Sequence, residues 1–252
     1  MNKFLTLMMC IASIISGFSA AHQVDGDMEN ILVSASLLPI TSKRSANAIT
    51  IIGSDQIKNR AVVSVSDLLR DDAGLAASRS GVQGSQTQIR VRGGEANHLL
   101  VLIDGVEVNN PSQNDEFNWG NLVASDIERI EVIRGPQSSM LGSDAMAGVV
   151  NIITRSADQP LSTNIFSEIG SFNTQNNGIS IGLKDGAFDM RLGISDLQTD
   201  GDNISRSGSE KDGYENTNLN LKSGWRVSNQ LNLTLAARQS DGINEFDADI
   251  NF

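Results

Sequence analysis

Acidic residues recur toward the end of the chain, at Asp200, Asp202, Glu210, Asp212, Asp247 and Asp249. Carboxylate oxygens are the ligands that hard cations prefer, so calcium is the cation such positions would take. A solvated acidic loop has the same composition. Two other stretches offer neutral groups instead. Residues 81–86 contain Gln83, Ser85 and Gln86, and residues 109–118 contain Asn110, Ser112 and Asn114. Amides and hydroxyls suit hydrogen bonding to a large amphiphilic ligand, and they also suit ordinary turns. Catalytic spacings are missing from the sequence: it has no Walker A loop, no nucleophile elbow and no zinc-type His pair. His98 stands alone beside a strand, and Asp71-Asp72 reads as a helix end. These residues point to binding rather than to an enzyme, with no cofactor required.

The 252 residues carry a formal net charge of −11, with a pI near 4.6. That balance argues against a nucleic-acid partner, which needs clustered Lys and Arg. Met1-Asn2-Lys3, the apolar run Phe4 to Phe18 and the small residues Ser19-Ala20-Ala21 read as a cleaved secretory signal over residues 1–21. The single cysteine, Cys10, lies in that run, so no intrachain disulfide is possible. No other apolar run is long enough for a membrane-spanning helix. Barrel strands need only alternating segments of about ten residues.

The elements that must position the polar groups fall into two regions. In the first, Ala48 to Ile52 reads as a strand, and Ser54 as the N-cap of a turn through Ile57. Ser64 to Asp67 has capping-box spacing before Leu68 and Leu69. Asp71 to Gly74 ends that helix, and a flexible loop over 81–86 follows. Strands are expected over Gln88 to Arg92 and Leu99 to Ile103. Asp104-Gly105 is a two-residue hairpin turn returning through Val106 to Val108. The stretch Ile127 to Arg155 organises this region. It reads as an alternating strand, a Gly135-Pro136 stop, a short helix from Pro136, and a second strand over Val149 to Thr154.

After Arg155 the composition shifts to strand alternation. Ile179, Ile181 and Leu183 lead to Asp185-Gly186. Met190, Leu192 and Ile194 alternate with Arg191, Gly193 and Ser195, and Leu231, Leu233 and Leu235 repeat the pattern. Apolar-out, polar-in alternation suits a membrane barrel, and a soluble sandwich alternates too. Short turns at 185–186 and 227–229 alternate with the long polar stretch 198–213. Five strands fit between Leu161 and Gln239.

The runs Arg134-Gly135-Pro136, Leu141 to Ala145 and Gly148 to Thr154 resemble the end of the plug domain of TonB-dependent outer-membrane receptors. Ile89 to Gly93 and Leu100 to Val106 match further motifs of that family. The resemblance covers roughly residues 29 to 240 and is nearest to the cobalamin-receptor type. It implies an α+β plug over 48–158, then the first strands of an antiparallel transmembrane β-barrel over 159–252. A periplasmic N-terminal segment over 22–47 would precede them. Within it, Asn30, Ile31, Leu32, Val33, Ser34 and Ala35 look like a Ton box, which adds as a strand to TonB.

The resemblance further implies that loops 81–86 and 109–118 face outward as substrate contacts. Asp202, Glu210, Asp212 and Asp247 fall near calcium-binding acids of the cobalamin receptor. The implied function is TonB-dependent uptake of cobalamin or a ferric siderophore by a monomer in the outer membrane, in contact with its lipid. A plugged barrel has 22 strands, and 92 residues follow Pro160. The sequence is therefore expected to be an incomplete barrel, either a fragment or a truncated product. The expectation from another class is a non-transporting periplasmic plug-like module that binds ligand or TonB.

Overall fold

A computed structural model describes residues 31–32, 40–41, 48–204 and 210–245. The expected signal peptide, residues 1–21, lies outside them. At the N-terminus, β1 (Ile31–Leu32) pairs antiparallel with β2 (Ile40–Thr41). An N-terminal domain follows, built from β3 (Ala48–Gly53), α1 (Ser54–Arg60), α2 (Val65–Arg70), β4 (Leu75–Arg79), β5 (Thr87–Val91), β6 (Leu99–Ile103), β7 (Val106–Glu107), β8 (Ile127–Arg134), α3 (Ser138–Leu141) and β9 (Gly148–Thr154). Its main sheet has the order β3-β8-β9-β6-β7, while β4 and β5 form a separate hairpin. Among the described strands, only β6 and β9 run parallel.

Both faces of the main sheet are covered. On one, Ile130, Val132 and Val150 pack with Leu68 and Leu69 of α2 and with Ile89 of β5. On the other, Ile133, Val149 and Leu100 meet Ala145. Double coverage explains why β8 is buried along most of its length instead of alternating. Even Glu131 is fully buried, its carboxylate held by Arg129 Nε at 3.0 Å.

Several helix starts differ from expectation. Ser54 is the first helical residue, and Gly53 takes the cap position, its amide donating to Gln56 Oε1 at 3.3 Å. Ser64 caps α2 by position, but its hydroxyl is spent on Ser66 Oγ at 2.8 Å, so the expected box does not form. The helix after Pro136 begins two residues late, at Ser138, with Gln137 at the cap position and its N–H donating to Ala145 O at 2.8 Å. The Asp104-Gly105 turn forms as expected, with φ of 51° and 82°.

The second region is a five-stranded antiparallel wall. It consists of β10 (Leu161–Gly170), β11 (Thr174–Asp185), β12 (Phe188–Thr199), β13 (Tyr214–Arg226) and β14 (Asn232–Asn244), paired in sequence order. Its two faces separate by residue type. Ile181, Leu192 and Leu221 lie side by side in register and point outward, each exposed or half-exposed. Ser180, Ser195, Asn216 and Asn218 point inward and are buried against the N-terminal domain. At the end carrying the short turns, Phe188 and Trp225 are register partners on the exposed face. Toward the other end the outward face becomes polar, and Thr217 donates to Asp196 at 2.9 Å.

Candidate functional site

The wall holds the N-terminal domain along a polar seam. Midway along the strands, Arg191 and Lys222 are register partners on neighbouring strands, so both side chains point inward at one level. Arg191 Nε donates to Asp126 Oδ1 at 3.0 Å and its Nη2 to Ser180 Oγ at 2.5 Å. Lys222 Nζ donates to Asp104 Oδ1 at 2.7 Å and to Thr154 O at 2.8 Å. Asp104 in turn accepts from Thr154 N at 3.1 Å. One wall lysine therefore ties together the ends of β6 and β9. Burial raises the Asp126 carboxyl above the ordinary carboxylate range, while Arg191 pulls it back down.

Toward the end with the long loop, the seam is mostly neutral, with Arg238 Nη2 donating to Asn218 Oδ1 at 3.2 Å. Tyr214 is 2% exposed, and its hydroxyl donates to Asn121 Oδ1 at 3.0 Å while accepting from Asn216 Nδ2 at 2.6 Å. Ser240 Oγ donates to Asn121 O at 3.4 Å. This network sits directly behind loop 81–86. Of the expected contact residues there, Gln86 is exposed, Gln83 is half-buried and Ser85 is buried, accepting from Asn244 Nδ2 at 3.5 Å. The expected flexible loop is thus clamped by the wall.

Asn110, Ser112 and Asn114 are exposed. The Asn110 carboxamide accepts from Ser112 N at 3.0 Å, and Asn114 adopts a left-handed φ of 57°. Removing the cap by Asn110→Ala is expected to cost about 1 kcal/mol, read from the urea midpoint of this domain. The two loops meet where Asn118 Oδ1 accepts from Thr87 N at 3.3 Å and Gln88 Nε2 donates to Glu116 at 2.5 Å. A cavity of about 630 Å³ lies elsewhere, between α1 and β10–β11, and none of the six expected contact residues lines it.

The acidic loop folds partly on itself. The Asp212 carboxylate is buried and accepts from Ile204 N at 2.9 Å, and Asp202 Oδ1 accepts from Asn203 N at 2.9 Å. Asp200 pairs with Lys211 at 3.2 Å. Among the described residues, no three His, Cys, Asp or Glu side chains converge on a metal position, Asp202, Glu210 and Asp212 included. Asp247 lies outside the described residues, as do Asn30, Val33, Ser34 and Ala35 of the expected TonB-binding segment. Ile31 and Leu32 are the strand that pairs with Ile40–Thr41.

The seam residues Asp104, Asp126, Arg191, Lys222 and Tyr214 were not singled out from sequence as functional. The available signal was positional, because Arg191 and Lys222 are cations on the inward side of alternating strands.

Comparison with known proteins matches residues 41–149 to the family described as TonB-dependent Receptor Plug Domain. The N-terminal domain is thus similar to the plug of the TonB-dependent receptors. It is 27% identical over 252 residues to the vitamin B12 transporter BtuB of Vibrio vulnificus, covering 98% of this chain and 41% of that protein. Among solved structures, the siderophore receptor PirA from Acinetobacter baumannii superposes with a TM-score of 0.65 at 24% identity, over 79% of this chain and 32% of PirA. FpvAI, solved in complex with pyocin S2, gives 0.69 at 14% identity, over 84% of this chain and 28% of the other. These likenesses show a shared fold: plug first, then antiparallel strands. The chain spans about two fifths of the length of its B12-transporter relative.

Proposed function

We propose that this chain is the plug and first wall strands of a receptor that takes up a cobalamin-type ligand across the outer membrane, driven by TonB. The observation that carries the reading is the likeness to a B12 transporter along 98% of the chain. The surface chemistry agrees with it. Around loops 81–86 and 109–118 the exposed described groups are mostly amides and hydroxyls, and Lys211 of the adjoining loop is paired with Asp200, while Arg206 of that loop lies outside the described residues. The described amides and hydroxyls are groups that can hydrogen-bond an amide-rich neutral ligand.

The wall supports placement in a bilayer. Exposed Leu and Ile of the wall face away from the plug, and Phe188 and Trp225 sit at one margin, as an interfacial aromatic girdle would. The margin with the aromatics and short turns is then the periplasmic one, and loops 81–86 and 200–213 face outside. Residues 30–35 serve as the TonB-binding strand, and β1 must leave β2 before pairing with TonB. Calcium binding by Asp202, Glu210, Asp212 and Asp247 would require the first three carboxylates to turn from their present partners. Transport involves no covalent step in this chain.

The test is equilibrium binding of cyanocobalamin and of a ferric catecholate to the receptor in outer-membrane vesicles. Saturable binding of cyanocobalamin alone is expected. Binding of the ferric catecholate alone would replace the cobalamin reading with a siderophore one. Ligand binding without any uptake into cells would favour the non-transporting module.

A further inference from the structure

Loop 81–86 reaches its position by pressing against a single wall side chain. Gly84 has φ +83°, and a Cβ there would lie 2.1 Å from both Cδ2 and Cε2 of Tyr214. The glycine is therefore in face contact with the phenol ring, and no other residue fits. On the loop's other side, Gly120 is equally tight, since a Cβ there would lie 2.3 Å from Ser85 O. Asn121, next to Gly120, receives the Tyr214 hydroxyl. One buried ring thus supports loop 81–86 from behind and fixes the neighbouring strap 118–121 through its hydroxyl. Tyr214 also opens β13, directly after the acidic loop, and a Cβ on Gly81 would lie 3.7 Å from Cδ1 of Ile204 in that loop.

We propose that Tyr214 is a positioning residue for the ligand-contacting plug loop, holding Gln83 and Gln86 toward the outer mouth and joining that loop to barrel loop 200–213. This rests on the ligand-binding reading above. The wall strand therefore sets ligand affinity without touching ligand. The ring supplies the shelf and the hydroxyl supplies the tie to the strap.

The experiment places a nitroxide at Gln86→Cys in a Cys10→Ser background of the receptor, with a control label at Asn114→Cys. Tyr214→Ala is expected to mobilise the label at position 86 and to leave the one at position 114 unchanged, which shows the fold intact. In unlabelled protein the same substitution is expected to weaken cyanocobalamin binding about tenfold, or about 1.4 kcal/mol. Tyr214→Phe keeps the shelf and should retain an immobile label, with affinity within about threefold. Gly84→Ala should mobilise the label as Tyr214→Ala does, and the double variant should be no worse than either single one, because both break the same contact. An unchanged label in Tyr214→Ala overturns the proposal. A mobile label with unchanged affinity overturns the link to ligand. A mobile label in a protein whose parent never binds cyanocobalamin leaves the positioning role standing and removes the cobalamin reading instead.

Discussion

Replacing Arg191 with Met is expected to destabilise the seated plug by about 3–5 kcal/mol at neutral pH, because it strands a buried carboxylate. Side-chain exposure is 9% for Arg191 and 15% for Asp126, so water does little to compensate either charge. Burial already raises the Asp126 carboxyl, and Arg191 is the main opposing influence. Without the guanidinium the carboxyl rises further. A carboxyl raised in the folded state favours the protonated form, so its charge costs stability above the folded-state pKa. That cost begins to fall as pH drops through the folded-state pKa and is gone below the unfolded-state one. The Arg191→Met deficit should therefore be largest at neutral pH and shrink on acidification. Adding Asp126→Asn should recover most of it, since a buried ion pair can often be replaced by neutral groups at little net cost. Urea midpoints of plug release, measured against pH for both variants, check this. A small deficit independent of pH would show that Asp126 is hydrated in the seated plug.

Replacing Leu192 with Arg should cost about 2–4 kcal/mol in a bilayer, and Asp196→Arg only about 0–1 kcal/mol. The two positions lie on the same strand and both point outward. Leu192 has Ile181 and Leu221 as register partners, whereas Asp196 has Asn177 and Thr217. They differ in depth: one sits in the apolar band and the other in the polar rows beyond it. Denaturant unfolding of the receptor from lipid vesicles gives both numbers. Equal costs at the two positions would remove the bilayer from the outward face.

The strand periodicity after Arg155 was readable because the outward face of the wall is apolar and the face against the N-terminal domain polar, so residue types alternate along each of the five strands. The hairpin at Asp104-Gly105 was readable for a comparable reason, since its residues tolerate positive φ. What escaped was set by distant packing. The strand Leu75–Arg79 has no clear apolar alternation of its own and exists because β5 pairs with it along its length. Loop 81–86, rich in Gly and Ser, reads as flexible, yet Tyr214, more than a hundred residues later, holds it. The roles of Asp104 and Asp126 were equally hidden, because a turn aspartate and a loop aspartate show their partners only when β12 and β13 are in place. Capping went astray at Ser64 because two serine hydroxyls two residues apart satisfied each other.

The measurement that bears most directly on the transporter reading is uptake of labelled cyanocobalamin by cells carrying the receptor, with and without an uncoupler, alongside deletion of residues Asn30 to Ala35. Uptake in the parent, lost on collapse of the proton-motive force and lost in the deletion while surface binding of the ligand persists, is the expected result. Uptake that continues in the presence of the uncoupler and in the deletion would contradict TonB-driven transport through this plug.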